Sequence, residues 1–337
     1  MKKTKTFLLM LAALTAASAF PQPPNIPVAP LAARDYMGWT NAFRLSNNQV
    51  EAVIVPEIGR MIFFGPANGA NLLRFDDYLA GKAFPKRKSD EWINFGGQWM
   101  WPAAQSVWPS FQTNDWPPSA MIDRKPWTGY AWTEADGTAA CAITREYGEP
   151  LNVEARQIYR LMPSNNFVTI RQSLVRTGPS SIPVTLWNLV QVPLPSRVGF
   201  AAPAGTSDSP GWRTLMFNPP PPGSIRRCGD FVVYTPGTND ETKIGSRSRA
   251  ACAAGFAGSR AVVVKSAPNG NGAPGEISTE IYVHAGLGYA ELETLSAGKN
   301  LKEEEVLSLT VQVHLTENIP ETSDPCDQVA GMEAGTP

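Results

Sequence analysis

Alternation of apolar and polar residues with a period of two is the feature that most limits how this chain can fold. In residues 305–315, leucine or valine at every second position from 307 onwards alternates with Ser308, Thr310, Gln312 and His314. The same period appears in residues 167–176 and 277–284. Because successive side chains of a strand point to opposite faces, each segment predicts a β-strand with one buried and one more polar face.

The remaining strand candidates follow one another without a clear break. Two apolar runs at 50–55 and 60–64, separated by a Pro/Gly turn, predict a hairpin. Further strands are predicted in residues 139–147, 152–162, 183–192, 231–234, 261–265 and 289–295. Residues 193–223 and 237–258 read as loops, and no long amphipathic helix is evident. The sequence therefore predicts an all-β fold, a large antiparallel β-sandwich formed by a single domain at residues 34–318.

The N-terminal residues have the features of an export signal. Lys2, Lys3 and Lys5 precede an apolar run at 7–14, and Ala17-Ser18-Ala19 is typical of a cleavage site. We expect a signal peptide at residues 1–19, a proline-rich linker at 20–33, and a periplasmic or secreted mature protein. Residues 319–337 are predicted to be a loose polar tail. No later run approaches the ~20 apolar residues that a membrane-spanning helix needs, so stable membrane insertion is not expected.

Charge and cysteine content narrow the function classes. The formal net charge of -1 gives no reason to expect nucleic acid as a partner. The four cysteines allow three disulfide pairings, and the sequence does not choose among them. No C-x-x-C spacing, phosphate-binding loop or dinucleotide fingerprint is present, so neither a metal nor a cofactor is expected. The four cysteines are Cys141, Cys228, Cys252 and Cys326.

Residues 90–132 hold seven of the ten tryptophans, interspersed with side-chain amides and prolines. Proline excludes a long helix here and no sustained alternation marks a strand, so we expect a long ordered loop system. Flat apolar rings beside amide groups suit a sugar, which has C–H faces and a hydroxyl rim. The alternative is that the indoles only fill one end of the sandwich. The candidate sugar-binding residues here are Asn94, Gln98, Trp99, Trp101 and Trp116.

Three further positions carry candidate chemistry. Glu291 and Glu293 share one strand face about 7 Å apart, close enough to raise one carboxyl pKa for acid/base catalysis. Their alternative is pairing with a neighbouring cation or solvation. His284 would approach this strand if the two segments form a hairpin, or it is an ordinary surface histidine. Arg60 is either a sugar ligand or a clamp on the tryptophan-rich segment.

Several motifs together resemble one family. They are VIVPEIGRMIFFG, NLLRFDD, NFGGQWMWPAAQ, LWNLVQVPLP and YAELETLSAGKNLKEEE, spread over roughly residues 39–315. The chain resembles a family of exported bacterial proteins within the galactose mutarotase-like superfamily, which includes aldose 1-epimerases. The resemblance implies a supersandwich of two curved antiparallel sheets with a sugar-binding groove on one concave face.

This chain departs from the resembled family at one catalytic position. Aldose 1-epimerases use a histidine and a glutamate, but the strand that resembles the histidine-bearing one reads LWNL, with Asn188 as a candidate sugar contact. The glutamate has counterparts in Glu291 and Glu293. We therefore expect an exported protein that binds a mono- or oligosaccharide and lacks the full epimerase pair. The alternatives are a catalytic epimerase or lyase that uses Glu291 or Glu293, and a cell-envelope module for protein interaction.

Overall fold

A computed structural model describes residues 29–84, 92–203, 210–248, 250–266 and 277–335. The expected signal peptide at 1–19 lies outside these residues. The strands are β1 Ala29–Leu31, β2 Arg34–Tyr36, β3 Trp39–Ser46, β4 Val50–Val55, β5 Arg60–Pro66, β6 Gln98–Trp101, β7 Thr128–Thr133, β8 Ala139–Glu146, β9 Val153–Leu161, β10 Phe167–Arg176, β11 Trp187–Pro193, β12 Arg197–Ala201, β13 Arg213–Phe217, β14 Ile225–Cys228, β15 Phe231–Tyr234, β16 Glu241–Ser246, β17 Cys252–Ala257, β18 Arg260–Ser266, β19 Thr279–His284, β20 Tyr289–Leu295 and β21 Val306–Thr316.

Helical structure is short. The α-helices are α1 Ala120–Asp123 and α2 Pro325–Gly335, and short 3-10 helices lie at Asp77–Leu79, Gln105–Ser110 and Ala285–Leu287. Across the described ranges, no helix is long and apolar enough to cross a membrane.

Two large antiparallel sheets form the fold, as the sequence predicted. One has eleven strands in the order β1-β7-β8-β9-β10-β21-β18-β17-β12-β15-β14, and the other has ten in the order β13-β16-β19-β20-β11-β6-β5-β4-β3-β2. Alternate residues of each strand meet in the core between the sheets, as Ala290 and Leu292 of β20 and Val311 and Val313 of β21 do. The all-β sandwich is therefore confirmed.

Several strands lie where the sequence analysis expected loops. β16 and β17 occupy the expected loop at 237–258, and β12 and β13 lie within 193–223. β6 and most of β7 lie in the tryptophan-rich segment, where no strand was predicted. β16 carries Lys243, which pairs with glutamates of neighbouring strands, and β17 is built mostly from small residues. Neither composition gives the apolar alternation by which the other strands were recognised.

The C-terminal segment is packed, although the sequence analysis expected a loose tail. Val329 and Met332 of α2 are buried in a cluster with Phe231 and Phe256 on the eleven-stranded sheet. A disulfide joins Cys228 of β14 to Cys326 of α2, while Cys141 and Cys252 are free.

The N-terminal boundary also differs from the expectation. Strand β1 pairs with β7, so the last part of the expected linker at 20–33 belongs to the eleven-stranded sheet. Residues 20–28 lie outside the part of the chain that the structure describes.

Candidate functional site

A cleft of about 480 Å³ lies on the face of the ten-stranded sheet that is turned away from the other sheet. This volume is within the range of small-molecule sites, which is roughly 300–1,000 Å³. We call it the aromatic cleft, because rings form most of its wall. Its indole and phenyl rings are Trp92, Trp101, Trp116, Trp187 and Phe217, and its phenol rings are Tyr282 and Tyr289.

Polar side chains from three neighbouring strands enter the same cleft. They are Glu241 and Lys243 of β16, His284 of β19 and Glu291 of β20. β19 and β20 form the predicted hairpin, with His284 opposite Tyr289. The cleft therefore brings Trp101 and Trp116 of the tryptophan-rich segment together with Glu291 and His284.

The two glutamates of β20 differ in their access to the cleft. Glu291 lines it and accepts a 2.6 Å hydrogen bond from Nε2 of Gln191. Glu293 is fully buried, and its Oε2 accepts a 2.6 Å hydrogen bond from Nε1 of Trp187. In the described part of the chain, no N–H or O–H donor forms a hydrogen bond with the other oxygen of Glu293. Glu291 therefore faces the cleft, while Glu293 lies behind its wall and supports Trp187.

Lys243 neutralises part of this negative charge. Its Nζ lies 2.8 Å from Oε2 of Glu280 and 3.0 Å from Oε2 of Glu293, and 4.6 Å from the centroid of the Trp187 ring. Burial alone lowers the pKa of Lys243, but attraction to Glu280 and Glu293 outweighs it and raises that pKa. Lys243 is therefore charged at neutral pH, as its two carboxylate neighbours require.

Burial also acts on the glutamates. It raises the pKa of Glu293 well above 4.5, more than Lys243 lowers it, and Glu280 and Glu291 act in the same direction as burial. Burial likewise raises the pKa of Glu291, against the hydrogen bond from Gln191 and the positive charge of Lys243. A raised carboxyl pKa inside a cleft is typical of groups that transfer protons, although structural charge networks produce it too.

His284 is held in a defined orientation. Its Nδ1 accepts a 3.2 Å hydrogen bond from the backbone N–H of Leu287, so the proton of the neutral ring lies on Nε2. That Nε2 is 3.9 Å from Oε1 of Glu241, which also accepts a 2.9 Å hydrogen bond from the Tyr282 hydroxyl. The ring stacks on Tyr289 with 6.0 Å between centroids.

Asp123 of α1 organises two of the indoles, and the sequence analysis did not identify it. Its Oδ2 accepts a 2.9 Å hydrogen bond from Trp92, and its Oδ1 accepts one of 3.0 Å from Trp101. Arg60 lies 3.4 Å from the same Oδ1, donates to the carbonyl of Gly96 at 3.0 Å, and stacks over Trp99 at 4.0 Å.

These contacts have the geometry of the clamp that was one of the two alternatives for Arg60. The guanidinium is fully buried and outside the cleft lining, and burial lowers its pKa to about 10. Trp99 is buried beneath it and also does not line the cleft.

Gln98 and Asn188 lie on the opposite face of the sheet from the cleft. Both are fully buried between the sheets, where Nε2 of Gln98 donates to Oδ1 of Asn188 at 3.0 Å and to Oε1 of Gln157 at 3.1 Å. Asn94 does not line the cleft either, and its Oδ1 accepts a 3.1 Å hydrogen bond from the backbone of Gly96. The structure therefore does not bring these three predicted sugar contacts to the cleft.

The cleft also contains residues that sequence reasoning missed. They are Lys243, Glu241, Tyr282 and Trp187, of which Trp187 was seen only as part of the histidine-free LWNL strand. A second cavity of about 500 Å³ lies beside the cleft and shares Leu287 with it. Among the described His, Cys, Asp and Glu side chains, no group of three or more is arranged to hold a metal ion.

Comparison with solved structures identifies the fold. A candidate aldose 1-epimerase from Escherichia coli K12 superposes with a TM-score of 0.55 at 12% identity, covering 82% of this chain and 99% of that one. A galactose mutarotase related enzyme from Lactobacillus acidophilus gives 0.52 at 10% identity, over 82% and 98%. This chain has the galactose mutarotase-like fold.

The galactose mutarotase-like fold was implied by the sequence resemblance and is confirmed. It is not restricted to one kind of protein. A TPR-domain containing protein from Parabacteroides distasonis ATCC 8503 matches with a TM-score of 0.55 at 13% identity, over 84% of this chain and 49% of that one. No protein-family model and no curated protein matches this chain.

Proposed function

We propose that the protein binds a carbohydrate in the aromatic cleft. The observation that carries the proposal is the position of exposed apolar side chains. Of the nine large hydrophobic side chains that are exposed in the described part of the chain, four line this cleft. They are Trp116, Met216, Phe217 and Leu287, with exposed fractions between 38% and 61%.

Exposed apolar side chains are normally scattered singly over a protein surface. A group of them around one cavity therefore indicates a ligand-binding surface. Trp116 presents a half-exposed ring beside Trp92, with 5.0 Å between ring centroids. Glu241 and Glu291 provide hydrogen-bond acceptors within the same cavity. Rings that cover C–H faces and acids that accept from hydroxyls together suit a pyranose.

The test is calorimetric titration of the mature chain with neutral hexoses, amino sugars and uronates. Replacing Trp116 by alanine should weaken binding by about 1.5 kcal/mol, or roughly tenfold, because the ring loses its contact with the sugar. Tyr78→Ala is the matched control, since Tyr78 is an exposed ring outside the cleft. Absence of saturable binding by every sugar in the panel would refute the proposal.

Acid/base catalysis on the bound sugar is a second candidate, favoured by the buried carboxyl of Glu291. Its pKa is raised, and His284 enters the same cavity. Polarimetry would detect catalysed interconversion of anomers, and Glu291→Gln should abolish it while the fold is retained. β11 offers no histidine to the cleft, so we place binding ahead of epimerisation.

We also propose that the protein acts outside the cytoplasm. The export signal predicted at residues 1–19 and the disulfide between Cys228 and Cys326 support this location, since stable disulfides form in oxidising compartments. Fractionation of cells that express the full chain, with mass determination of the N-terminus, would test it.

A further inference from the structure

The cations around the aromatic cleft already have carboxylate partners. Lys243 lies within 3.0 Å of two of them, Glu280 and Glu293. Outside the cleft lining, Arg60 pairs with Asp123 at 3.4 Å, and Arg74, which stacks over Tyr289, pairs with Asp76 at 2.6 Å. None of these three cations is left to attract an anionic ligand.

Three carboxylates of the cleft have no such partner. Within the described ranges, no lysine or arginine forms an ion pair with Asp115, Glu241 or Glu291, which all line the cavity. Nε2 of His284 lies 3.9 Å from Oε1 of Glu241. Among the described residues, the acidic groups of the cleft therefore lack the direct cationic contacts that its basic groups have, and such carboxylates attract cations and repel anions when they are ionised.

Aromatic faces lie between these acids. Tyr282 of β19 stands opposite Glu291 of β20, and its ring is 5.3 Å from that of Phe217 and 6.0 Å from that of Tyr289. Glu241 lies on the other side of Tyr282, on β16, and accepts a hydrogen bond from its hydroxyl group. Electron-rich ring faces beside carboxylates are the arrangement that binds ammonium groups, by cation–π attraction and by charge-assisted hydrogen bonds.

We propose that the sugar bound in the aromatic cleft carries a free, protonated amino group, which lies against Glu241 or Glu291 and the ring of Tyr282. This inference rests on the proposed carbohydrate function and names its substrate class, an amino sugar. The hydroxyl groups of the ring contact the remaining acid, and the indole of Trp116 covers a C–H face. An acetylated amine has no charge to offer, and a uronate adds a negative one.

The experiment is titration of the mature chain at about pH 7, where most of such an amine is protonated. Glucosamine and galactosamine are each compared with the parent hexose, with the N-acetyl form, with glucuronate and with ethanolamine. The amine should bind about tenfold more tightly than the parent hexose, the gain of one charge-assisted contact. The advantage should shrink when salt is added, because the attraction is electrostatic.

Substitutions of the two glutamates identify which carboxylate binds the amino group. Glu241→Gln and Glu291→Gln preserve size and remove one charge each, so at least one of them should bring the ratio of amine to hexose affinity close to unity. Glu317→Gln is the matched control, because Glu317 forms an exposed ion pair with Arg260 outside the cleft. Its ratio should equal that of the wild type.

The outcomes separate this inference from the function on which it rests. Equal affinity for hexose and amine, or tighter binding of glucuronate, overturns the amino-sugar inference and leaves carbohydrate binding in place. Tight binding of ethanolamine with no gain from a sugar ring supports a cation site and overturns carbohydrate binding. No binding by any of these probes overturns both.

Discussion

Nε1 of Trp187 donates a hydrogen bond to Oε2 of Glu293, the same oxygen that lies 3.0 Å from Nζ of Lys243. One buried carboxylate thus orients an indole on β11 and an ammonium group on β16, while β20 itself lies between those strands and carries Glu291. The wall and the polar groups of the aromatic cleft therefore depend on one another.

Removal of the negative charge at Asp123 should disturb both the cleft and the stability of the fold. Asp123→Asn leaves the buried guanidinium of Arg60 without a counter-ion, which we expect to lower the free energy of unfolding by about 3 kcal/mol. It also weakens the acceptors for Trp92 and Trp101, so affinity for a cleft ligand should fall. Urea unfolding measures the first effect and calorimetry the second. Glu134→Gln, which breaks an ion pair with the more exposed Arg160, should cost less than about 1 kcal/mol.

Stability should depend on the proton of Glu293. Because its pKa in the folded state lies above the ordinary value of 4.5, the folded state binds this proton more tightly than the unfolded state. The contribution is complete below about pH 4.5 and is lost as pH rises through the folded pKa. In urea unfolding at a series of pH values, Glu293→Gln should flatten this decline. An unchanged slope in the variant would contradict the raised pKa.

His314 should make the stability of the fold depend on pH in the opposite direction. Burial lowers its pKa from 6.5 to about 4, so the folded state binds the proton less tightly than the unfolded state. Its contribution is complete above pH 6.5 and is lost as pH falls towards 4, amounting to at most about 3 kcal/mol. The chain has two histidines, so NMR titration gives two imidazole signals, and His314→Leu identifies one by its loss. Titration of that signal near pH 6.5 would contradict the effect of burial.

Two glycines allow a matched test of backbone packing beside the tryptophans. Gly97 has φ +76, and a Cβ there would lie 2.4 Å from the carbonyl oxygen of Met61, whereas Gly148 has φ +59 and open space around it. Gly148→Ala should cost about 1 kcal/mol for its left-handed backbone, and Gly97→Ala about 3 kcal/mol because of the added clash. Thermal unfolding compares them. Equal losses of stability in the two variants would show that the backbone of β5 moves to accommodate the added Cβ.

The disulfide should contribute substantially to stability. Cys228 and Cys326 are 98 residues apart, and a link across so long a loop restricts the unfolded chain. Cys326→Ser should lower the free energy of unfolding by about 2–4 kcal/mol. Reduction of the wild type should reproduce the loss. Cys252→Ala is the control, since Cys252 is a free thiol that packs against the same cluster as Cys228.

The regular strands were predictable because their alternation is local. β8, β9 and β10 lie within one residue of their predicted ends, and the β19–β20 hairpin placed His284 near its expected neighbours. β16 was not predictable in this way. Lys243 is buried in it because Glu280 and Glu293 approach from β19 and β20, and such partners are not visible in the local sequence.

The cleft was predictable in its kinds of residue and less so in their individual positions. Trp101, Trp116, Glu291 and His284 do line it, whereas Gln98 and Asn188 point into the sandwich. Each amide is next in sequence to a residue on the outer face of the sheet. Because side chains alternate along a strand, both amides point inward once β6 and β11 are known to be strands. The role of Asp123 carries no sequence signal, because it depends on how the tryptophan-rich segment folds so that α1 approaches Trp92 and Trp101.

The amides buried between the sheets have a consequence for ligand recognition. Gln98 donates a hydrogen bond to Asn188. Nε2 of Gln172, on the opposite sheet, donates a hydrogen bond to the same Oδ1 of Asn188. Displacing β11 by a single residue would turn Asn188 outward and break these contacts, and it would simultaneously turn Trp187 inward. The buried amides thus fix the register of β11, and that register decides which of its side chains face the cleft.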